Sequence, residues 1–277
     1  MTATTLITLR ETLEASLIVG IILAYLQFTH NQRYNIAVWL GVMAGVAMSL
    51  VLAILMRVYF GGFTGTAEAL YEGITMIAGA GLITWMIIWM MRQSRTIRSD
   101  IEGEVALHLE NEHPFGIFFL VMISTAREGV ETVIFLQAAL AHTGGIWQLI
   151  GGFVGIAIAI GLSYMLFRGI KLVSLRHVFK VTSILLIFFA AGLTAHGVHE
   201  LQEAGWIPVL IGHIWDINPI VTIDGIYPAL HEKGAIGSVF KGLFGYNGNP
   251  NFLEVMVYLL YLSGITLLWK KETRTSH

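Results

Sequence analysis

The chain has no cysteine among its 277 residues, and only 12% of them are charged. The first absence excludes disulfides, thiolate metal sites and iron–sulfur clusters. The second excludes an ordinary soluble domain, in which about 25% of residues carry charge. A chain that is 56% hydrophobic, with mean hydropathy +0.73, could not cover its own apolar surface in water. The N-terminus lacks the basic stretch of a cleavable signal peptide and carries Arg10, Glu11 and Glu14 inside its apolar run. Net charge is −2, and nothing in the charge pattern suggests nucleic acid as a partner.

Several apolar runs are long enough to cross about 30 Å of hydrocarbon, so the chain reads as an all-α polytopic membrane protein in a lipid bilayer. No alternating barrel-type strands occur, and backbone groups in lipid then require helices. Seven spans are expected, at about Leu6–Phe28, Ile36–Met56, Ala67–Met91, Phe115–Ala141, Ile146–Phe167, Val178–Leu201 and Phe252–Trp269. The longer connections are Arg92–Pro114, which is charged, and Gln202–Asn251.

Orientation follows from lysine and arginine. One side receives Arg33, Arg92, Arg95, Arg98, Arg168, Lys171, Arg176, Lys180, Lys270, Lys271 and Arg274, and the other only Arg57, Lys233 and Lys241. The first side is therefore expected in the cytoplasm, which places the N-terminus outside and the C-terminus inside a cytoplasmic membrane. Trp39, Trp85, Trp89, Trp206 and Trp269 read as interface anchors. Met86, Met90 and Met91 read as lipid-facing or packing residues rather than as a path for a soft metal.

The remaining cations, Arg10 and Arg127, lie within spans. Each opens a copy of one pattern, R-E-x-x-E: Arg10-Glu11-Thr12-Leu13-Glu14 and, 117 residues later, Arg127-Glu128-Gly129-Val130-Glu131. In a soluble helix such a pattern is an ordinary surface pairing. In a bilayer each ionised group costs on the order of 3 kcal/mol, so six of them require a shared polar interior. Residues three and four apart share a helix face, which points Glu11 with Glu14 and Glu128 with Glu131. Two such faces meeting would form a cage of four carboxylates supported by Arg10 and Arg127. Surplus negative charge there invites a cation. A salt-bridge lock between two helices is the bland alternative.

The copies fall in the first and fourth spans, so the repeat unit is three spans, and an odd number inverts the second copy. The expected architecture is a single transmembrane permease domain over residues 1–277, an inverted 3+3 helix repeat (about 1–91 and about 115–201) plus one extra C-terminal helix at about 252–269. Inverted repeats with a midplane site are a recurrent plan of secondary transporters. Gly41, Gly45 and Ser49 in one unit correspond to Gly151, Gly155 and Ala159 in the other, and small residues at this spacing let helices approach closely.

Toward the outer side, Glu68 and Glu72 share one face, and His196, His199, Glu200 and Glu203 share another. Glu72, His199 and Glu200 are the expected outer gathering site of a metal. The inner loop offers Glu102, Glu104, His108, Glu110, Glu112 and His113, and the outer loop His213, Asp216, Asp224, His231 and Glu232. The inner set could receive metal on the inner side and the outer set has no recognised ligand spacing, and both read first as solvated loops. Carboxylates without thiolates suit hard cations, and imidazole shifts the preference toward ferrous iron or zinc.

At the doubled R-E-x-x-E the sequence resembles the oxidase-dependent iron transporter family, the fungal high-affinity iron permeases and the bacterial EfeU-type ferrous iron permeases. The family hallmark is R-E-G-L-E twice, from which Thr12 and Val130 depart at positions between the charged residues. Glu72-Gly73 and the stretch from His196 to Gly205 also look like the bacterial branch. The resemblance implies iron as the transported substrate, carried by the motif glutamates. It implies no permanently bound cofactor, no enzymatic activity, and an extracytoplasmic iron-binding or oxidising protein partner. The alternatives weighed are transport of another divalent metal such as lead or manganese, or proton-coupled cation exchange. A photoreceptor lacks the in-span lysine that retinal needs, because Lys270 and Lys271 lie at a span edge. An intramembrane metalloprotease lacks H-E-x-x-H.

Overall fold

A computed structural model describes residues 1–60, 63–93, 97–110, 114–143, 146–167, 175–209, 211–212, 214–218, 227–232 and 234–275. Arg95, Glu112, His113, Arg168, Lys171, His213, Asp224 and Lys233 lie outside the described residues. The described residues form nine α-helices: α1 (Thr2–Phe28), α2 (Asn35–Phe60), α3 (Thr66–Gln93), α4 (Ile97–Glu110), α5 (Pro114–Thr143), α6 (Ile146–Phe167), α7 (Leu175–Glu203), α8 (Ala235–Phe244) and α9 (Phe252–Thr275). The seven expected helices correspond to α1, α2, α3, α5, α6, α7 and α9. The helices α4 and α8 arise inside what the sequence presented as loops.

Five helices are long and apolar enough to cross a membrane, within Gln32–Tyr59, Thr66–Met90, Gln148–Phe167, His177–Glu203 and Phe252–Lys271. The long helices α1 and α5 are not among them, and these carry the two charged motifs. Large apolar side chains cover the outer surface, as on α2, where Leu40, Met43, Leu50, Val51 and Ile54 are exposed. In water such a surface would drive aggregation, and in lipid it is ordinary. The protein is an integral membrane protein.

The helices interleave. α1 packs chiefly on α6, α2 on α5, and α3 on α7, with α9 against α7 and α1 also touching α5. Small residues set these crossings. A Cβ on Gly45 would lie 2.8 Å from Thr125 Cβ and 2.9 Å from the Ala126 nitrogen, so α2 and α5 meet backbone to backbone. On α6, a Cβ on Gly155 would run into the Thr8 hydroxyl and the Thr5 carbonyl of α1. Hydroxyl bonds fasten the same seam, Thr5 Oγ1 donating to the Gly151 carbonyl and Thr8 Oγ1 to that of Gly152, each at 2.9 Å. The central core joins α1, α3, α5 and α7 through Ile7, Met76, Ile83, Phe135, Leu186 and Phe189. A second cluster ties α4 to α1, α2 and α5 through Val105, Leu26, Val38 and Ile117. The amphipathic α4 thus docks one apolar edge while remaining polar elsewhere, which explains why its sequence reads as a charged loop.

Candidate metal site

The first motif lies in the buried middle of α1. Arg10 is fully buried, and its guanidinium divides between two carboxylates of its own helix, Nη1 to Glu11 Oε1 at 3.1 Å and Nη2 to Glu14 Oε1 at 2.9 Å. The same nitrogens reach two sulfurs of α3: Nη1 donates to Met86 Sδ, and Nη2 to Met90 Sδ at 3.1 Å. On α5, Arg127 Nε pairs with Glu131 Oε1 at 3.1 Å, and the guanidinium lies 4.3 Å from the ring centre of Trp89. One turn of α3 therefore receives both motif arginines. Met86 is buried in the core, as a packing residue, and Met86 and Met90 also contact the buried Arg10 while Trp89 lies against the half-exposed Arg127.

Carboxylates from the two motifs converge. Glu11, Glu128 and Glu131 each offer an oxygen within 4.8 Å of the others, with Glu11 and Glu128 buried and Glu131 half-buried. A triangle of that side has its centre about 2.8 Å from each corner, a few tenths of an ångström outside the 2.3–2.6 Å of hard-cation coordination. Glu11 Oε2 is buried and has no hydrogen-bond partner. An unpaired carboxylate oxygen in an apolar interior is costly, and a bound cation would satisfy it. Three of the four expected cage carboxylates converge in this way, and Glu14, which Arg10 holds at 2.9 Å as it holds Glu11 at 3.1 Å, is not among them. Fully ionised, the four carboxylates and two guanidiniums leave two negative charges in excess, the complement of a divalent cation.

The outer cluster is built differently. α3 and α7 cross closely at Gly73 and Gly197, where a Cβ on Gly73 would lie 2.9 Å from the Gly197 carbonyl and 3.2 Å from Glu200 Cβ. Glu72 and Glu200 are thereby brought to one level on adjacent helices. His199 stands between two carboxylates, Nε2 3.3 Å from Glu203 Oε1 and Nδ1 3.0 Å from Glu254 Oε1. The His196 ring centre is 5.7 Å from that of His199. The last turn of α7 is held by a Schellman motif: Gly205, at φ +77°, bonds the Gln202 carbonyl at 3.0 Å while Trp206 N–H reaches that of Leu201 at 2.9 Å. Among the described residues, three ligand atoms converge at Glu11, Glu128 and Glu131, but not at Glu72, His199 and Glu200.

Sequence pattern alone does not single out Glu254. The available signal is Asn251 three residues ahead of it, a capping pattern at the start of an apolar helix.

The chain matches the iron permease FTR1 family over residues 1–275. It is 35% identical over 259 residues to the ferrous iron permease EfeU of Escherichia coli O6:K15:H31 (strain 536 / UPEC), covering 93% of this chain and 91% of that protein. The ferrous iron permease EfeU of Shigella sonnei (strain Ss046) gives the same identity and coverage, 35% over 259 residues. That of Yersinia pestis is 33% identical over 273 residues, covering 98% of this chain and 94% of the relative. No solved structure matches the chain significantly.

Proposed function

Because this chain belongs to the iron permease FTR1 family, we propose that it is a membrane permease, not an enzyme, that imports iron through a site built from its two R-E-x-x-E motifs. The observation that carries the site is the convergence of Glu11, Glu128 and Glu131 from two helices, with a buried Glu11 oxygen left unpartnered. All seven long helices cross the membrane in this reading, α1 and α5 included, because their motif carboxylates converge on one another rather than face lipid. The N-terminus lies outside and the C-terminus in the cytoplasm, on the count of lysines and arginines.

The exchange of partners among the helices supports an inverted 3+3 repeat. α1 pairs with α6 as α2 pairs with α5, and α3 pairs with α7. A two-fold axis in the membrane plane would produce this pattern, with α9 outside the repeat. Iron is gathered at Glu72, His199 and Glu200 and passes to Glu11, Glu128 and Glu131. Arg10 and Arg127 hold the empty carboxylates together. Rocking of the two halves then exposes the site inward. Iron is the substrate, and an extracytoplasmic iron-binding or oxidising protein delivers it.

Uptake of radiolabelled iron by proteoliposomes tests the function, with Fe2+ and Fe3+ offered separately and a pH gradient imposed or removed. The expected result is saturable iron uptake that excess manganese or lead does not abolish. Uptake of those metals in preference to iron would transfer the site to another divalent cargo.

A further inference from the structure

Glu254 belongs to neither motif, yet it is among the most tightly held side chains in the protein. It sits in the first turn of α9 and is 2% exposed. Asn247 Nδ2 donates to its Oε2 at 2.7 Å, and the Asn251 backbone N–H donates to its Oε1 at 3.2 Å. Asn251 returns the bond, its Oδ1 accepting the Glu254 N–H at 3.0 Å, which completes a reciprocal cap. The Asn251 amide also donates to Gln202 Oε1 at 2.6 Å, tying the cap to the last turn of α7.

This carboxylate is aimed at one atom. Its Oε1 lies 3.0 Å from His199 Nδ1, while the other ring nitrogen, Nε2, looks away toward Glu203, whose side chain is 62% exposed. A carboxylate oxygen bound by a backbone N–H is an acceptor, so Nδ1 facing it carries a hydrogen, while Nε2, 3.3 Å from the exposed Glu203 carboxylate, releases any hydrogen it holds when a cation binds there. A histidine with one nitrogen fastened to a buried carboxylate and the other turned outward beside a second carboxylate has the geometry of a metal ligand oriented by its neighbour. The ring is 36% exposed, open enough for an ion to reach it.

We propose that Glu254 is a positioning residue that aims Nε2 of His199, together with Glu203, at the incoming divalent cation on the outer face. The proposal rests on the permease reading and deepens its outer site. It adds Glu203 beside His199 to the gathering residues Glu72, His199 and Glu200, with His199 held from behind by the seventh long helix. Glu254 itself does not touch the ion. Its part is to fix which nitrogen is offered and in which direction.

The test uses the full chain in proteoliposomes, with Fe2+ uptake measured against concentration. Glu254→Gln keeps the shape of the cap but removes the anionic acceptor. It is expected to raise the half-saturating Fe2+ concentration about tenfold, at the low end for an outer-shell partner of a ligating histidine, with the maximal rate unchanged. In a His199→Ala background the same substitution should add nothing. A plain structural cap predicts the opposite, an equal loss of maximal rate and melting temperature in both backgrounds, and that result overturns the proposal. So does an unchanged half-saturating concentration. Should Glu254→Gln fail to fold, Asn247→Ala loosens the same carboxylate from a loop without touching the helix cap, and the same outcomes apply. Imidazole nitrogen shifts of His199, read by NMR with Zn2+ as a diamagnetic probe, give a measure independent of transport. Zn2+ should move Nε2 and leave Nδ1–H in place in the parent protein, and movement of Nδ1 instead overturns the proposal. A parent protein that takes up no iron while showing this NMR response defeats the permease reading and leaves the role of Glu254 standing.

Discussion

Arg10 and Arg127 open two copies of one motif, yet the side chain of Arg10 is 0% exposed and that of Arg127 is 48% exposed. Repetition in sequence has not produced equivalence in space. Arg10 is sealed between α1 and α3, where it clasps two carboxylates and two sulfurs. Arg127 holds one carboxylate and lies against the Trp89 ring. The two halves of the site therefore differ in how tightly the bundle encloses them, and so in what each charge contributes.

That difference predicts unequal costs. Arg10→Gln strands Glu11 and Glu14 in an apolar interior, and breaking a buried pair by removing one partner costs about 3–5 kcal/mol. Arg127→Gln removes a less enclosed pair with one carboxylate rather than two, so a smaller loss is expected. Melting of the two purified variants in one detergent should show a large drop for Arg10→Gln and a small one for Arg127→Gln. Equal melting temperatures would mean that the burial of Arg10 has no energetic weight.

The glutamates should also separate by position. Glu11→Gln and Glu128→Gln each remove a charge from the converging trio and should bring iron uptake to background while expression and membrane insertion remain intact. Glu14→Gln should retain measurable uptake, because Glu14 offers no oxygen to the converging trio. Normal transport by either of the first two variants would refute the site.

Much of this is legible in the sequence. Long apolar runs and the doubled motif locate seven long helices and single out Glu11, Glu14, Glu128 and Glu131. What stays hidden has identifiable physical causes. The convergence of three glutamates rather than four depends on the side-chain conformations of Glu11 and Glu14, both held by Arg10, which spacing cannot settle. Met86, Trp89 and Met90 carry no charge, so nothing marks them as partners of arginine. Glu254 lies 55 residues beyond His199, and only the packing of α9 on α7 brings them together. The helices α4 and α8 are invisible for a simpler reason, since short amphipathic helices in polar connections lack the long apolar run on which span detection relies.

The glycine crossings can be tested as a pair against a control. A Cβ on Gly45 meets the backbone of α5 below 3.0 Å, and one on Gly155 meets the Leu9 nitrogen of α1 at 3.0 Å. Gly45→Val and Gly155→Val should each destabilise the bundle by about 1–3 kcal/mol, the usual range for overpacking. A Cβ added at Gly81 or Gly161 would have nothing within 4 Å, so alanine at either should leave melting unchanged or slightly raised. Thermal melting in detergent measures all four, and a tolerated valine at Gly45 would contradict the close crossing of α2 and α5.

Trp89 offers the sharpest test of whether α3 shapes the site. Its ring lies 4.3 Å from the Arg127 guanidinium, whose Nε holds Glu131 at 3.1 Å. A cation over an aromatic face contributes about 0.5–2 kcal/mol, depending on how far water is excluded. Trp89→Leu removes that restraint and frees Arg127 to swing, taking with it one of the three converging carboxylates. Iron binding should weaken several-fold, while Trp89→Phe, which keeps an aromatic face, should lose much less. The effect must travel through the arginine, so Trp89→Leu combined with Arg127→Gln should bind no more weakly than Arg127→Gln alone. Isothermal titration of the purified variants with Fe2+ under anaerobic conditions measures each of these. Additive losses in the double variant would show that Trp89 supports the bundle rather than the motif.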